Sequence, residues 1–151
     1  MAELVLDTTY LLPVFGVSVG LADFQPRFAE LLDSYSVLYN PVSLVESKWA
    51  ILSKARSEPS KRGPLFEAYR TGLKILETDG RLRETHLTND SVESVADELL
   101  AGGVKDHFDR LIYGTAADRG CALLTEDHEL AKAHPREGPR PLKVMSWKDV
   151  P

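Results

Sequence analysis

The chain has 151 residues, enough for one ordinary domain with a buried core. A content of 43% hydrophobic and 27% charged residues excludes a disordered chain, and a formal net charge of -5 is the wrong sign for a broad basic face that grips nucleic acid. The single cysteine, Cys121, excludes an internal disulfide and predicts an inert core thiol in a reducing cytoplasm.

The first predicted element is a strand over 3–7, where Leu4, Val5 and Leu6 read as a strand buried on both faces and Asp7 closes it. The charge-free run from Thr8 to Ala22 is too short to span a bilayer and is broken by Pro13, Gly16 and Gly20. With Glu3 and Asp7 ahead of it and no basic leader, it does not read as a secretory signal either. Phe24, Phe28, Leu31 and Leu32 predict a helix, "SVLY" (36–39) a second strand, and Val45, Trp49 and Leu52 a short helical stripe. "SEPSKRGP" (57–64) reads as a turn into a helix striped by Leu65, Phe66, Tyr69, Leu73 and Leu76. A weaker strand comes next, at about 83–87. Two helices carry the stripes Val92, Val95, Ala96, Leu99, Leu100 and Phe108, Leu111, Ile112, Thr115, Ala116. "CALLT" (121–125) and "LKVMS" (142–146) are the last strands, separated by the loop "HPREGPRP" (134–141).

Short strands alternating with helices predict parallel βα units in a single domain over 1–151, with helices on both faces of one sheet. The crevice of such a fold lies beyond the carboxyl ends of its strands, where Asp7 and Asp127 both fall. Each acid also has a plain structural explanation. Asp7 can cap a helix begun at Thr8, Ser43 and Glu46 match a capping box, "DHFD" offers Asp106 as cap with Asp109 in the first turn, and Thr125 or Asp127 can cap a short last helix. Taken together, carboxylates that begin helices around one crevice with no balancing lysine repel one another, and a divalent ion relieves this. Oxygen donors of this kind suit Mg²⁺ or Mn²⁺ rather than zinc. His86, His107, His128 and His134 are too scattered for a zinc site, and of these His128 is the one placed to touch the crevice.

The order and setting of "LVLDTT", "NPVSLVE", "HFDRLIYGTA" and "LLTED" resemble a PIN domain of the VapC-like kind, the nuclease fold of the toxins in many bacterial and archaeal toxin–antitoxin pairs. The resemblance covers nearly the whole chain. It implies a three-layer α/β/α sandwich around a parallel five-stranded sheet, and a Mg²⁺- or Mn²⁺-dependent endoribonuclease, either a toxin or a stand-alone RNA-processing enzyme. Matched by motif, the catalytic and metal-binding acids are Asp7, Glu46, Asp109 and Asp127, with Thr8 and Thr125 at the supporting hydroxyl positions. The resemblance implies single-stranded or structured RNA and an antitoxin protein as partners; apolar helix surface adds a second copy of the chain as an expectation, the single cysteine places the protein in the cytoplasm, and no membrane partner is expected.

Of Asp106 and Asp109, the first has the better structural explanation: it can cap the helix and pair with Arg110 at i+4. Asp109 lies beside a buried stripe and needs a cation near it. Lys48, Lys54, Arg56, Lys61 and Arg62 read either as a solvated helix face or as residues that steer a strand. The helices around Trp49 and Tyr69 carry apolar surface that serves either core packing or a dimer or antitoxin contact. Two rival functions remain open. A phosphatase of the haloacid dehalogenase type also begins with an aspartate after its first strand, but its general acid two residues later is Thr9 here. The other is a catalytically silent PIN-fold binding module. No glycine-rich nucleotide motif is present.

Overall fold

The computed structural model describes residues 1–151. Five strands, β1 (Glu3–Leu6), β2 (Ser36–Tyr39), β3 (Leu82–Glu84), β4 (Ala122–Leu124) and β5 (Val144–Met145), form one parallel sheet in the order β3-β2-β1-β4-β5. The helices are α1 (Phe24–Ser34), α2 (Val42–Ser57), α3 (Arg62–Thr78), α4 (Asp90–Ala101), α5 (His107–Arg119) and the single-turn α6 (His128–Ala131). The predicted α/β class and the five parallel strands are both present. The chain winds outward from β1 through β2 to β3, then returns to the other flank of β1 for β4 and β5. That reversal opens a crevice at the carboxyl ends of β1 and β4.

Alternation along the strands divides the core in two. Leu4 and Leu6 of β1 join Val37, Leu82, Leu124 and Met145 under α1, α3 and the carboxyl terminus, while Val5, Leu38 and Leu123 face α4 and α5. The three apolar residues of β1 are wholly buried, as a central parallel strand requires. On the second face α4 and α5 approach so closely that a Cβ on Gly114 would lie 2.8 Å from the carbonyl oxygen of Val92. Backbone cannot yield to that contact without separating the helices. Gly114→Ala is therefore expected to cost about 1–3 kcal/mol by forced overpacking, read as a lower urea midpoint. An unchanged midpoint would mean that the two helices slide freely.

The carboxyl end of the chain is locked by Trp147. Its ring lies among those of Tyr10 and Phe24 with the Arg27 guanidinium 4.7 Å from its centre, and its indole N–H donates to the carbonyl of Ala22. Cys121 is buried in the core, as expected, and burial pushes its thiol up to about 11.

Five expectations need correction. The stripe Val45, Trp49 and Leu52 is not the buried face of α2: Val45 and Trp49 are exposed, and Val42, Ser47, Ile51 and Ala55 turn inward instead. The third strand is Leu82–Glu84, shorter and earlier than 83–87, because Asn40 Nδ2 donates to the carbonyls of His86 and Leu87 and draws that segment away from the ladder. The Ser43–Glu46 capping box does not form. Asn40 starts α2 instead, its Oδ1 accepting from the amide of Val42 at 2.8 Å, and Ser43 turns inward. Leu100 is 52% exposed and belongs to no core face. Arg110 does not pair with Asp106, since its guanidinium donates to the carbonyls of Val104 and Lys105 just before α5.

Candidate metal centre

The ladder carries Asp7 to the end of β1: its backbone N–H donates to the carbonyl of Leu124 at 2.9 Å, which fixes the residue against β4. The side chain is then held at both oxygens. Oδ1 accepts the amide of Thr8 at 2.7 Å, capping the 3-10 turn Thr8–Tyr10, and Oδ2 accepts the hydroxyl of Thr125 at 2.6 Å. Thr125 Oγ1 in turn accepts the amide of Asp127 at 3.0 Å. Asp127 caps α6, with Oδ1 accepting from Glu129 at 2.7 Å and from Leu130 at 3.3 Å. One threonine hydroxyl therefore orients two of the acids.

The other two acids arrive on helices. Glu46 projects from the early part of α2, whose position is tied to the end of β1 by the Thr8 hydroxyl donating to Ser43 Oγ at 2.9 Å. Asp109 stands in the first turn of α5, and Asp106 caps that helix as expected. Asp106 Oδ1 accepts the amides of Phe108 and Asp109 at 2.9 and 3.1 Å, leaving the Asp109 carboxylate without a capping duty.

Carboxylate oxygens of Asp7, Glu46 and Asp109 all lie within 4.8 Å of one another. They line a cavity of about 390 Å³ in which six of the ten wall residues are acidic and none is basic. Asp127 lines the same cavity but stands outside the group of three, and Asp106 and Glu126 complete the acidic wall. Burial raises the pKa of Asp7 against the two hydrogen bonds that favour its charge, and burial with the charges of Asp7 and Asp106 raises that of Glu46. Asp109 is pushed up to about 8, first by burial and then by the negative charge of Asp7, Asp106, Glu46 and Asp127.

These magnitudes weigh against capping as the whole explanation. Like charges at that separation repel by roughly 3 kcal/mol per pair at an effective dielectric near 20, whereas a helix cap stabilises by only about 1 kcal/mol. The arrangement is tenable with protons or a cation on it. Its donors are hard oxygens without Cys or His, a set that fits Mg²⁺ or Mn²⁺.

Not every expected contributor is here. His128 is exposed and lines the adjoining groove beneath Trp147, outside the acid cavity. Lys48 is engaged elsewhere, its ammonium 4.3 and 4.8 Å from the ring centres of Phe66 and Tyr69, and Lys61 pairs with Glu58 at 3.0 Å. Tyr69 packs on Phe15 and donates to the carbonyl of Leu44, so its surface serves the core. Trp49 is 59% exposed. Two residues of the neighbourhood escape a reading of the sequence. Ser43 has the spacing of a cap but serves Thr8. Glu126, which accepts from the Tyr10 hydroxyl at 3.1 Å and the Trp147 amide at 2.8 Å, gives no local signal at all.

A parallel five-stranded sheet between helices, with acids gathered at the end of its central strand, defines a PIN-like fold. No protein-family model matches the chain. Among solved structures it is similar to VapBC2 from Rickettsia felis, bound to a DNA fragment from their promoter, with a TM-score of 0.66 over 96% of this chain and 98% of that one at 16% identity. The likeness is one of fold.

Proposed function

We propose that the protein is a Mg²⁺- or Mn²⁺-dependent endoribonuclease that hydrolyses RNA phosphodiester bonds at the Asp7–Glu46–Asp109 cluster, and that it acts in the cytoplasm as the toxin of a toxin–antitoxin pair. The observation that carries the nuclease reading is the convergence of three carboxylates within 4.8 Å in a cavity without a basic wall residue. The antitoxin partner is supported by the fold likeness to the VapBC2 assembly. No helix is long and apolar enough to cross a membrane.

The roles come from how each side chain is held. Asp7 is the principal ligand, because the strand ladder, the Thr8 amide and the Thr125 hydroxyl leave its carboxylate no freedom to reorient. Asp109 and Glu46 close the cage from α5 and α2. Asp127, with Oδ1 committed to its cap, contributes through its charge and its remaining oxygen. A divalent ion held by Asp7, Glu46 and Asp109 would lower the pKa of a bound water and absorb charge on the attacked phosphate. Glu46 orients the attacking water and accepts its proton as the water oxygen bonds to phosphorus. The ester P–O bond on the leaving side then breaks, and the departing ribose oxygen is protonated from solvent.

Purified protein is expected to cleave single-stranded RNA with Mg²⁺ or Mn²⁺ and to stop in EDTA. Cleavage undiminished by chelator would refute the proposal. Turnover of p-nitrophenyl phosphate without RNA cleavage would favour the phosphatase, in which Asp7 would become an acyl phosphate, although Thr9 leaves that reaction without its second acid. A silent binding module would do neither.

A further inference from the structure

We propose that Trp49 and Phe108 form a stacking platform for an unpaired base of the bound strand, on the rim of the acid cavity; the proposal rests on the reading of that cavity as an RNA-cleaving site. Trp49 is 59% exposed on α2, and its ring leans on that of Phe108 from α5 with centroids 5.1 Å apart. Each ring is next in sequence to a wall of the cavity: Trp49 precedes Ala50, and Phe108 precedes Asp109. Trp49 also lies three residues after Glu46, on a neighbouring strip of the same helix face. The aromatic pair does not line the cavity itself; it stands where α2 packs against α5, with Trp49 one helical turn beyond the wall residue Glu46.

The chemistry of the surroundings favours a base over other occupants. A strand entering this cavity meets six acids and a protein of net charge -5, so beyond the one phosphate that a bound cation would engage, attraction to phosphates adds little affinity. Stacking on an aromatic face carries no charge and tolerates any base, because every base has a π-face. A duplex keeps its bases stacked on one another, so such a platform selects single strands. A protein partner is the weaker candidate. On α2 the exposed large apolar residues are Val45 and Trp49, while Ile75, Leu87, Leu100 and Leu142 lie on other elements. Two neighbouring apolar side chains make a small patch without an extended apolar surround on α2, and they match the footprint of one base.

The test uses intrinsic fluorescence. Trp147 is only 4% exposed, so a base that stacks quenches Trp49. The full chain is titrated with a short single-stranded RNA, the matching duplex, and an abasic strand of equal length, in Ca²⁺ to neutralise the acids. Single-stranded RNA should quench the wild type, while the duplex and abasic strands should not. Trp49→Ala should bind the RNA about ten-fold more weakly and Trp49→Phe nearly as tightly as wild type, with the quench gone in both. Equal affinity of Trp49→Ala and wild type, with circular dichroism unchanged, would overturn the platform, as would an abasic strand that binds as well as the intact one. Loss of self-association in Trp49→Ala with RNA binding intact would make this a protein contact and also overturn it. Quenching in Ca²⁺ with no cleavage of the same RNA in Mg²⁺ or Mn²⁺ would refute the nuclease reading and leave the platform standing. Cleavage unaffected by Trp49→Ala would do the reverse.

Discussion

Asp109→Asn is expected to abolish metal-dependent cleavage, whereas Asp106→Asn keeps most of it, although the two acids are one helical turn apart. Asp106 is exposed and its bonded oxygen serves the amides of Phe108 and Asp109. Asparagine caps a helix about as well, so that service survives substitution. No arginine pair is lost, because Arg110 is bound to backbone carbonyls. Asp109 has no such duty. It is half-buried against Asp7 and Glu46, with a carboxyl pushed up to about 8 by burial and by its acidic neighbours. Its loss should exceed the roughly 10- to 100-fold that removal of a merely supporting partner costs. The measurement is an initial cleavage rate for both variants, with circular dichroism confirming the fold. A dead Asp106→Asn beside an active Asp109→Asn would reverse the assignment.

Asp7→Asn should uncouple stability from metal. In the metal-free protein the substitution removes a nearly buried charge that repels Asp109, so the variant should melt at the same temperature as wild type or higher. Saturation of the wild type with Mg²⁺ at about a hundred times Kd should add roughly 2.7 kcal/mol, or about 5–10 °C for a chain of this size, and the variant should gain far less. The pH dependence has a defined sign. Asp109 has a folded-state pKa of about 8 against an ordinary value of 3.8, so between these values the folded protein holds a proton that the unfolded chain releases. The stabilisation is complete below pH 3.8 and is lost as pH climbs to about 8. Metal-free wild type should therefore lose this contribution toward alkaline pH while its affinity for Mg²⁺ rises over the same window, as the proton leaves. Asp7→Asn should flatten both slopes. Equal Mg²⁺ shifts in the two proteins would show that Asp7 is not a ligand.

Features that depend on near neighbours were legible in the sequence. The buried run Leu4–Leu6 ending on an acid, the helical stripes, and Asp106 ahead of α5 each announce themselves within a few residues. The errors arose where a distant partner outbid a local one. Ser43 has the spacing of a cap with Glu46, yet its hydroxyl accepts from Thr8, 35 residues away, and the Asn40 side chain accepts the first amide of α2, that of Val42. Arg110 stands one turn after Asp106 but finds two unpaired carbonyls within reach. Glu126 bridges Tyr10 and Trp147, residues 116 and 21 positions away, and no periodicity encodes such a bridge. The acids themselves could be singled out, but their convergence is a property of the sheet order.

That order has a consequence for how the protein comes into being. Thr125 reaches Asp7 across 118 residues, and β1 lies between β2 and β4, so one flank of the central strand stays unpaired until the last third of the chain exists. Domains are made from the amino terminus onward at about 5–20 residues per second. A ribosome that has translated as far as α4 thus carries Asp7 and Glu46 but neither Asp109 nor the threonine that orients Asp7. Whatever chemistry the acid cluster supports cannot begin in that intermediate, because Asp109 and the hydroxyl that orients Asp7 are both still missing. The cluster is complete only once β4 has docked against β1 and Thr125 has reached Asp7.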